Sequence, residues 1–187
     1  MNNLYNPYGR SPFGNTPMHH YRKTYPCIPC PPCFNNPMFR PKYPSQYIEL
    51  KDYGGKPYVV NIEEATLQNE NFRTALWTGD HLQVTLMSIM PGEDIGLEVH
   101  PELDQFIRIE QGQGYVTMGD RKDKLDYRKK VFDDYAIIIP AGTWHNLYNT
   151  GNVPLKLYSI YAPPEHPFGT VHETKEDAEK DHHHHKY

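Results

Sequence analysis

Pro140-Ala-Gly-Thr-Trp-His-Asn-Leu-Tyr-Asn149 is a turn signal followed by β-forming residues, with one imidazole, His145, among them. A second block, Pro91-Gly92…Glu98-Val99-His100…Gln105…Gly112, has the same character: Gly/Pro punctuation around polar, metal-capable side chains. Together they offer Glu98, His100, Gln105 and His145, and no other part of the chain offers a comparable set. Glu98 and His100 are two residues apart, so on a strand they project to one face. Gln105 follows Pro101-Glu102-Leu103-Asp104, long enough to turn and bring the next strand alongside. His145 comes from about 40 residues later, and only a closed fold brings it to the others. Such convergence costs loop-closure entropy, part of which a bound ion can recover.

The flanking sequence supplies the walls of such a container. Leu82-Gln-Val-Thr-Leu-Met-Ser-Ile-Met90 begins with the two-residue alternation of a half-buried strand. Further strands are expected at 58–62, 72–77, 97–100, 105–110, 115–118, 130–132, 136–139, 144–149 and 155–161, with a short helix or turn at 63–69. Turns fall at Gly79-Asp80, Gly112-Gln-Gly114, Gly119-Asp120 and Gly151-Asn152. Many short strands at close spacing predict an all-β sandwich or barrel over residues 47–170.

The ends differ from this middle. Residues 1–46 hold ten of the 18 prolines and five tyrosines, with no helical or strand periodicity, and are expected to be a disordered or extended tail. Their five basic residues and no acidic ones give +5, so the remainder of a chain of net charge −4 carries −9. Five dispersed charges without aromatic-Arg motifs do not point to nucleic acid. All three cysteines lie there, as Cys27, Cys30 and Cys33, open to cross-linking between chains, to a partial zinc site, or to remaining reduced. Residues 171–187, ending in Asp181-His-His-His-His-Lys-Tyr187, read as a polar, disordered, His-containing tail. No apolar run approaches the roughly 18 residues of a membrane span, and Met-Asn-Asn-Leu-Tyr-Asn-Pro does not resemble a signal peptide. The expected location is the cytoplasm.

Two imidazoles, a carboxylate and an amide oxygen form a mixed N/O set suited to Mn²⁺, Fe²⁺, Co²⁺, Ni²⁺ or Zn²⁺. Each residue also has a plain alternative. His100 fits an exposed turn before Pro101, His145 fits a buried hydrogen-bonded side chain, and Gln105 fits a contact to substrate. Glu98 fits a general base.

At these residues the chain resembles the cupin superfamily. Its first motif runs Pro-Gly, several residues, His-x-His, four residues, Glu, six residues, Gly. Pro91-Gly92, His100 and Gly112 keep that spacing, with Glu98 in place of the first His and Gln105 in place of the Glu. The second motif, Pro-x-Gly-x-x-His-x-x-x-Asn, is met in full by Pro140, Gly142, His145 and Asn149. The resemblance covers residues 57–163. It implies a double-stranded β-helix, or jelly roll, with inward-pointing ligands and a tendency to dimerise. The activities it implies run from sugar isomerases through dioxygenases to storage proteins, so the fold alone does not name one. The tail is similar in composition to bacterial spore-coat and surface-layer proteins.

Three functions follow. The first is a divalent-metal cupin acting on a small polar substrate, in the manner of a sugar isomerase. There Glu98 and Tyr148 move protons, and Arg108, Tyr115 and Trp144 bind substrate. The second is an Fe²⁺ dioxygenase using the same ligands. The third is a non-enzymatic structural or binding protein, assembled through its tail in a spore coat.

Overall fold

The computed structural model describes residues 47–184, with side chains described as far as Asp181. The tail at 1–46 and its three cysteines lie outside the described residues. Alternating apolar and polar side chains give the strands their two faces. On β8 (Leu155–Ala162) the residues Leu155, Leu157, Ser159 and Tyr161 are fully buried, while those between them are less so. β8 is paired on both sides, to β2 (Gln83–Ile89) and to β3 (Asp104–Gln111), in a six-stranded sheet. That sheet is completed by β6 (Ala136–Ile139), β1 (Arg73–Thr78) and the short β9 (Val171–His172), in the order β6-β3-β8-β2-β1-β9. The opposing sheet has β4 (Gln113–Gly119) between β5 (Tyr127–Phe132) and β7 (Trp144–Asn149). All named strand pairs are antiparallel.

Between the sheets lies an apolar core that includes Ile89, Ile107, Ile109, Val116, Leu147 and Leu157. Burying each such side chain stabilises the fold by about 1.5–3 kcal/mol before the entropy of ordering is charged against it. A second cluster, around Ala65, Leu76 and Leu86, covers the outer face of the large sheet beneath α1 (Ile62–Gln68). Asn61 caps α1 by accepting a hydrogen bond from the Glu64 amide.

Three expectations are corrected. Residues 58–62 form no strand before α1 begins at Ile62; Tyr58, Val60 and Ile62 instead pack on the outer cluster. Residues 97–100 run beside β7 with a single isolated bridge, Glu98 to His145, rather than a continuous ladder. Residues 171–184 are not a loose tail. β9 pairs with the head of β1, and α2 (Lys175–His184) sets Ala178 into the inter-sheet core. The Thr174 hydroxyl accepts from the Asp177 amide and the Asp177 carboxylate accepts from the Thr174 amide, the reciprocal pairing that starts a helix. No helix among the described residues is long and apolar enough to cross a membrane.

The two motif glycines answer backbone demands. Gly112 has φ +95°, and a Cβ there would stand 3.2 Å from the Leu155 Cα. Gly142 has φ +77° in the turn before β7, a region that disfavours other residues.

Candidate metal centre

His145 lies on the inward face of β7 together with Leu147 and Asn149, all buried. Glu98 is fastened opposite it by reciprocal backbone bonds, Glu98 N to His145 O at 3.0 Å and His145 N to Glu98 O at 2.9 Å. One turn of chain later, His100 is held by its carbonyl, which accepts 2.8 Å from Gly142 N. Three side chains thereby meet inside one end of the barrel. Glu98 Oε1 is 3.2 Å from His145 Nε2 and 3.6 Å from His100 Nε2. One ligand atom from each of the three lies within 4.8 Å of the others, near the spacing of atoms sharing an ion through bonds of about 2.1 Å.

The other ring nitrogens are engaged behind the site. His145 Nδ1 donates to Thr143 O at 2.9 Å, which turns Nε2 toward Glu98. His100 Nδ1 faces the Glu165 carboxylate at 3.3 Å. Burial alone would lower the His100 pKa, but the Glu165 and Glu98 carboxylates outweigh it and lift it to about 9. Burial alone would raise that of Glu98, yet the imidazoles of His100 and His145 hold it well below the usual carboxylate range.

Gln105 comes from β3 on the same inner surface. Its amide nitrogen donates to Ser159 Oγ at 2.9 Å, while its Oε1 is buried without a hydrogen-bond partner. His100 Nε2 is likewise buried without one. A buried polar atom left unpaired is costly, and here two of them accompany Glu98 Oε1 and His145 Nε2. This mixed N/O set suits a divalent ion, and Glu98, His100 and His145 can hold one.

The other expected residues lie elsewhere, for one geometric reason. Successive side chains on a strand take opposite faces, so inward His145 puts Trp144 and Tyr148 outside. Trp144 sits under the Lys122 ammonium, 5.7 Å away. Tyr148 and its register partner Tyr115 line a groove of about 910 Å³ on the far face of the small sheet, with Arg128 and Lys130. Inward Gln105 and Ile107 likewise send Arg108 out, where it pairs with Glu110 at 2.9 Å and with Asp134 at 2.5 Å. The expected catalytic role of Tyr148, and the substrate contacts of Arg108, Tyr115 and Trp144, are therefore corrected: none of them faces the histidines.

Three residues in or behind the site escaped the sequence reading. Glu165 comes from the loop after β8, which is anchored because Gln83 pairs with both the amide and the carbonyl of His166, at 2.9 and 2.8 Å. Tyr161 is fully buried and edge-on to His100, with ring centroids 5.7 Å apart. Arg73 is buried at the head of β1. Parity along 155–161 signals Tyr161; nothing local signals Arg73 or Glu165.

Comparison with known proteins agrees with this geometry. The family model described as the cupin domain matches residues 85–161. YrkC of Bacillus subtilis (strain 168) is 68% identical over 139 residues, 74% of this chain and 75% of its own length. L612 of Acanthamoeba polyphaga mimivirus is 45% identical over 115 residues, 61% of this chain and 70% of its own. The crystal structure of BH2720 from Bacillus halodurans is similar at 69% identity, over 70% of this chain and 98% of that one, with a TM-score of 0.69. Two facing antiparallel sheets, both motifs in their structural places, and matches of this extent lead to one assignment: the chain belongs to the cupin family.

Proposed function

We propose that this cupin holds a divalent ion at Glu98, His100, His145 and Gln105 and acts on a small hydroxy-carbonyl compound, in the manner of an isomerase. The observation that carries the reading is the convergence of two Nε2 atoms and one carboxylate oxygen inside the barrel, with both imidazoles held from behind at Nδ1. An ion bound there supplies Lewis acidity, polarising a substrate carbonyl or hydroxyl.

The chain's own residues do the rest. Glu98 brings the negative charge and the two imidazoles bring neutral donors. Burial pushes the Tyr161 hydroxyl above its ordinary pKa, which keeps it a hydrogen-bond donor beside His100. Glu165, behind His100, holds its Nδ1 and so keeps Nε2 turned toward Glu98. The apolar residues between the sheets exclude water, which strengthens each of these electrostatic contacts.

Elemental analysis of protein purified without chelator tests the reading. We expect about one Mn-to-Zn-series ion per chain, lost in His145→Ala. Absence of a stoichiometric ion in the wild type overturns it. Oxygen uptake during turnover of a hydroxy-carbonyl substrate would replace isomerisation with dioxygenase chemistry.

A further inference from the structure

Arg73 is a charged side chain in a place where charge is expensive. It is 1% exposed, and its Nε and Nη1 have no hydrogen-bond partner. Its guanidinium carbon lies 5.6 Å from the centre of the Phe72 ring, a contact that answers only part of the several kcal/mol a buried cation costs.

Strand register shows where it points. Arg73 faces Met87, which faces Leu157. The next inward row joins Ala75, Thr85, Ser159 and Ile107. The row after that joins Gln83, Tyr161 and Gln105. Arg73 therefore shares the inner wall of the large sheet with Gln105 and Tyr161, two rows along it, with small Ala75 in the row between. Thr85 Oγ1, in the row between, is also buried without a partner.

Service as a counter-charge to Glu98 does not account for Arg73. Glu98 already has His145 at 3.2 Å and His100 at 3.6 Å, and no hydrogen bond joins it to the guanidinium. With a divalent ion bound, the ion and Arg73 outweigh Glu98 and Glu165 by one positive charge. A singly charged planar anion would balance it.

We propose that Arg73, with Thr85, binds the carboxylate of a small hydroxy- or keto-acid whose remaining oxygens face Glu98, His100 and His145. This rests on the metal-dependent reading above and narrows its substrate class to acids. Guanidinium suits a carboxylate because its N–H donors are planar, permanently charged and weakly hydrated.

The test uses the full chain loaded with Mn²⁺ and assayed for metal content, titrated calorimetrically with glycolate, lactate and pyruvate. Ethylene glycol serves as the neutral control and inorganic phosphate as the competing anion. We expect the acids to bind the wild type and to weaken about tenfold or more in Arg73→Met, with Arg73→Lys between them and metal content unchanged. Ethylene glycol should not distinguish the variants. Acid affinity within about twofold of wild type in a folded, metal-loaded Arg73→Met protein overturns the inference, as does binding of phosphate with none of the acids. Should Arg73→Met not fold, the wild type decides: about tenfold preference for glycolate over ethylene glycol supports the inference, and equal binding overturns it. Failure to load Mn²⁺ or a related ion sinks the metal reading itself; loading with Arg73-independent acid binding sinks only this one.

Discussion

His145 and His100 are aimed by different means, and the difference predicts which is easier to disturb. A backbone carbonyl, Thr143 O, fixes His145, and no side-chain substitution removes it. A side chain on a separate loop, Glu165, fixes His100. Glu165→Ala should weaken metal affinity about 10- to 100-fold, the usual effect of losing a ligand's outer partner, while His145 stays in place. Competition titration against a chromophoric chelator measures it; unchanged affinity would make Glu165 a bystander. The second-motif residues were legible because each does a local backbone job. Gly142 supplies φ +77°, and Asn149 ties the end of β7 to Ile89 O, Val153 O and Gly151 N. Glu165 was not legible, because the interaction placing its loop joins Gln83 to His166 across the fold.

α2 shows how a polar segment becomes part of a fold. Its sequence offers one small apolar residue to the core, Ala178, and its first residue, Lys175, reaches Asp94 at 2.9 Å. Burial alone would raise the Asp94 pKa, but hydrogen bonds from Lys175 and the Gly96 amide hold it below the ordinary value. A carboxyl depressed in the folded state contributes stability that is present above its unfolded pKa of about 3.9 and is lost as pH falls through the folded value. The melting temperature should therefore fall on acidification below about pH 5, and fall less steeply in Asp94→Asn. At pH 7 that variant should lose no more than about 1 kcal/mol, the range of a partly exposed ion pair. Ala178→Asp, which buries a carboxylate in the inter-sheet core, should cost several times more. The Thr174…Asp177 spacing was the available sign of this helix, masked by the charged run after it. Residues 58–62 misled in the opposite sense, since alternating Tyr58, Val60 and Ile62 also suits a segment laid over a sheet without pairing to it.

For the molecule as a whole, the two sheets enclose an apolar layer at one level and the Glu98–His100–His145 cluster at another. An ion held by the proposed cluster binds only when β7, the segment beside it and β3 are brought together, so loading should stabilise the fold. At free metal about 100-fold above Kd the gain is about 2.7 kcal/mol, or roughly 8 °C in Tm for a domain of this size. Chelation followed by a thermal melt measures it, and a Tm that ignores chelator would separate the site from the stability of the barrel. Strand alternation made both sheets legible from sequence, and with them the inward side of Gln105 on β3 and of His145 on β7. The inward side of Arg73 depends on pairing β1 with β2, which the sequence of β1 alone does not specify.

The reciprocal amide bonds between residues 98 and 145 have an evolutionary corollary. Main-chain atoms make them, so they survive any change of side chain at position 98. Exchanging the acidic donor for an imidazole there would make the cluster electrically neutral and shift its preference among ions without loosening the framework. A lineage built on this scaffold can retune its inorganic chemistry at that one position while the architecture is inherited intact.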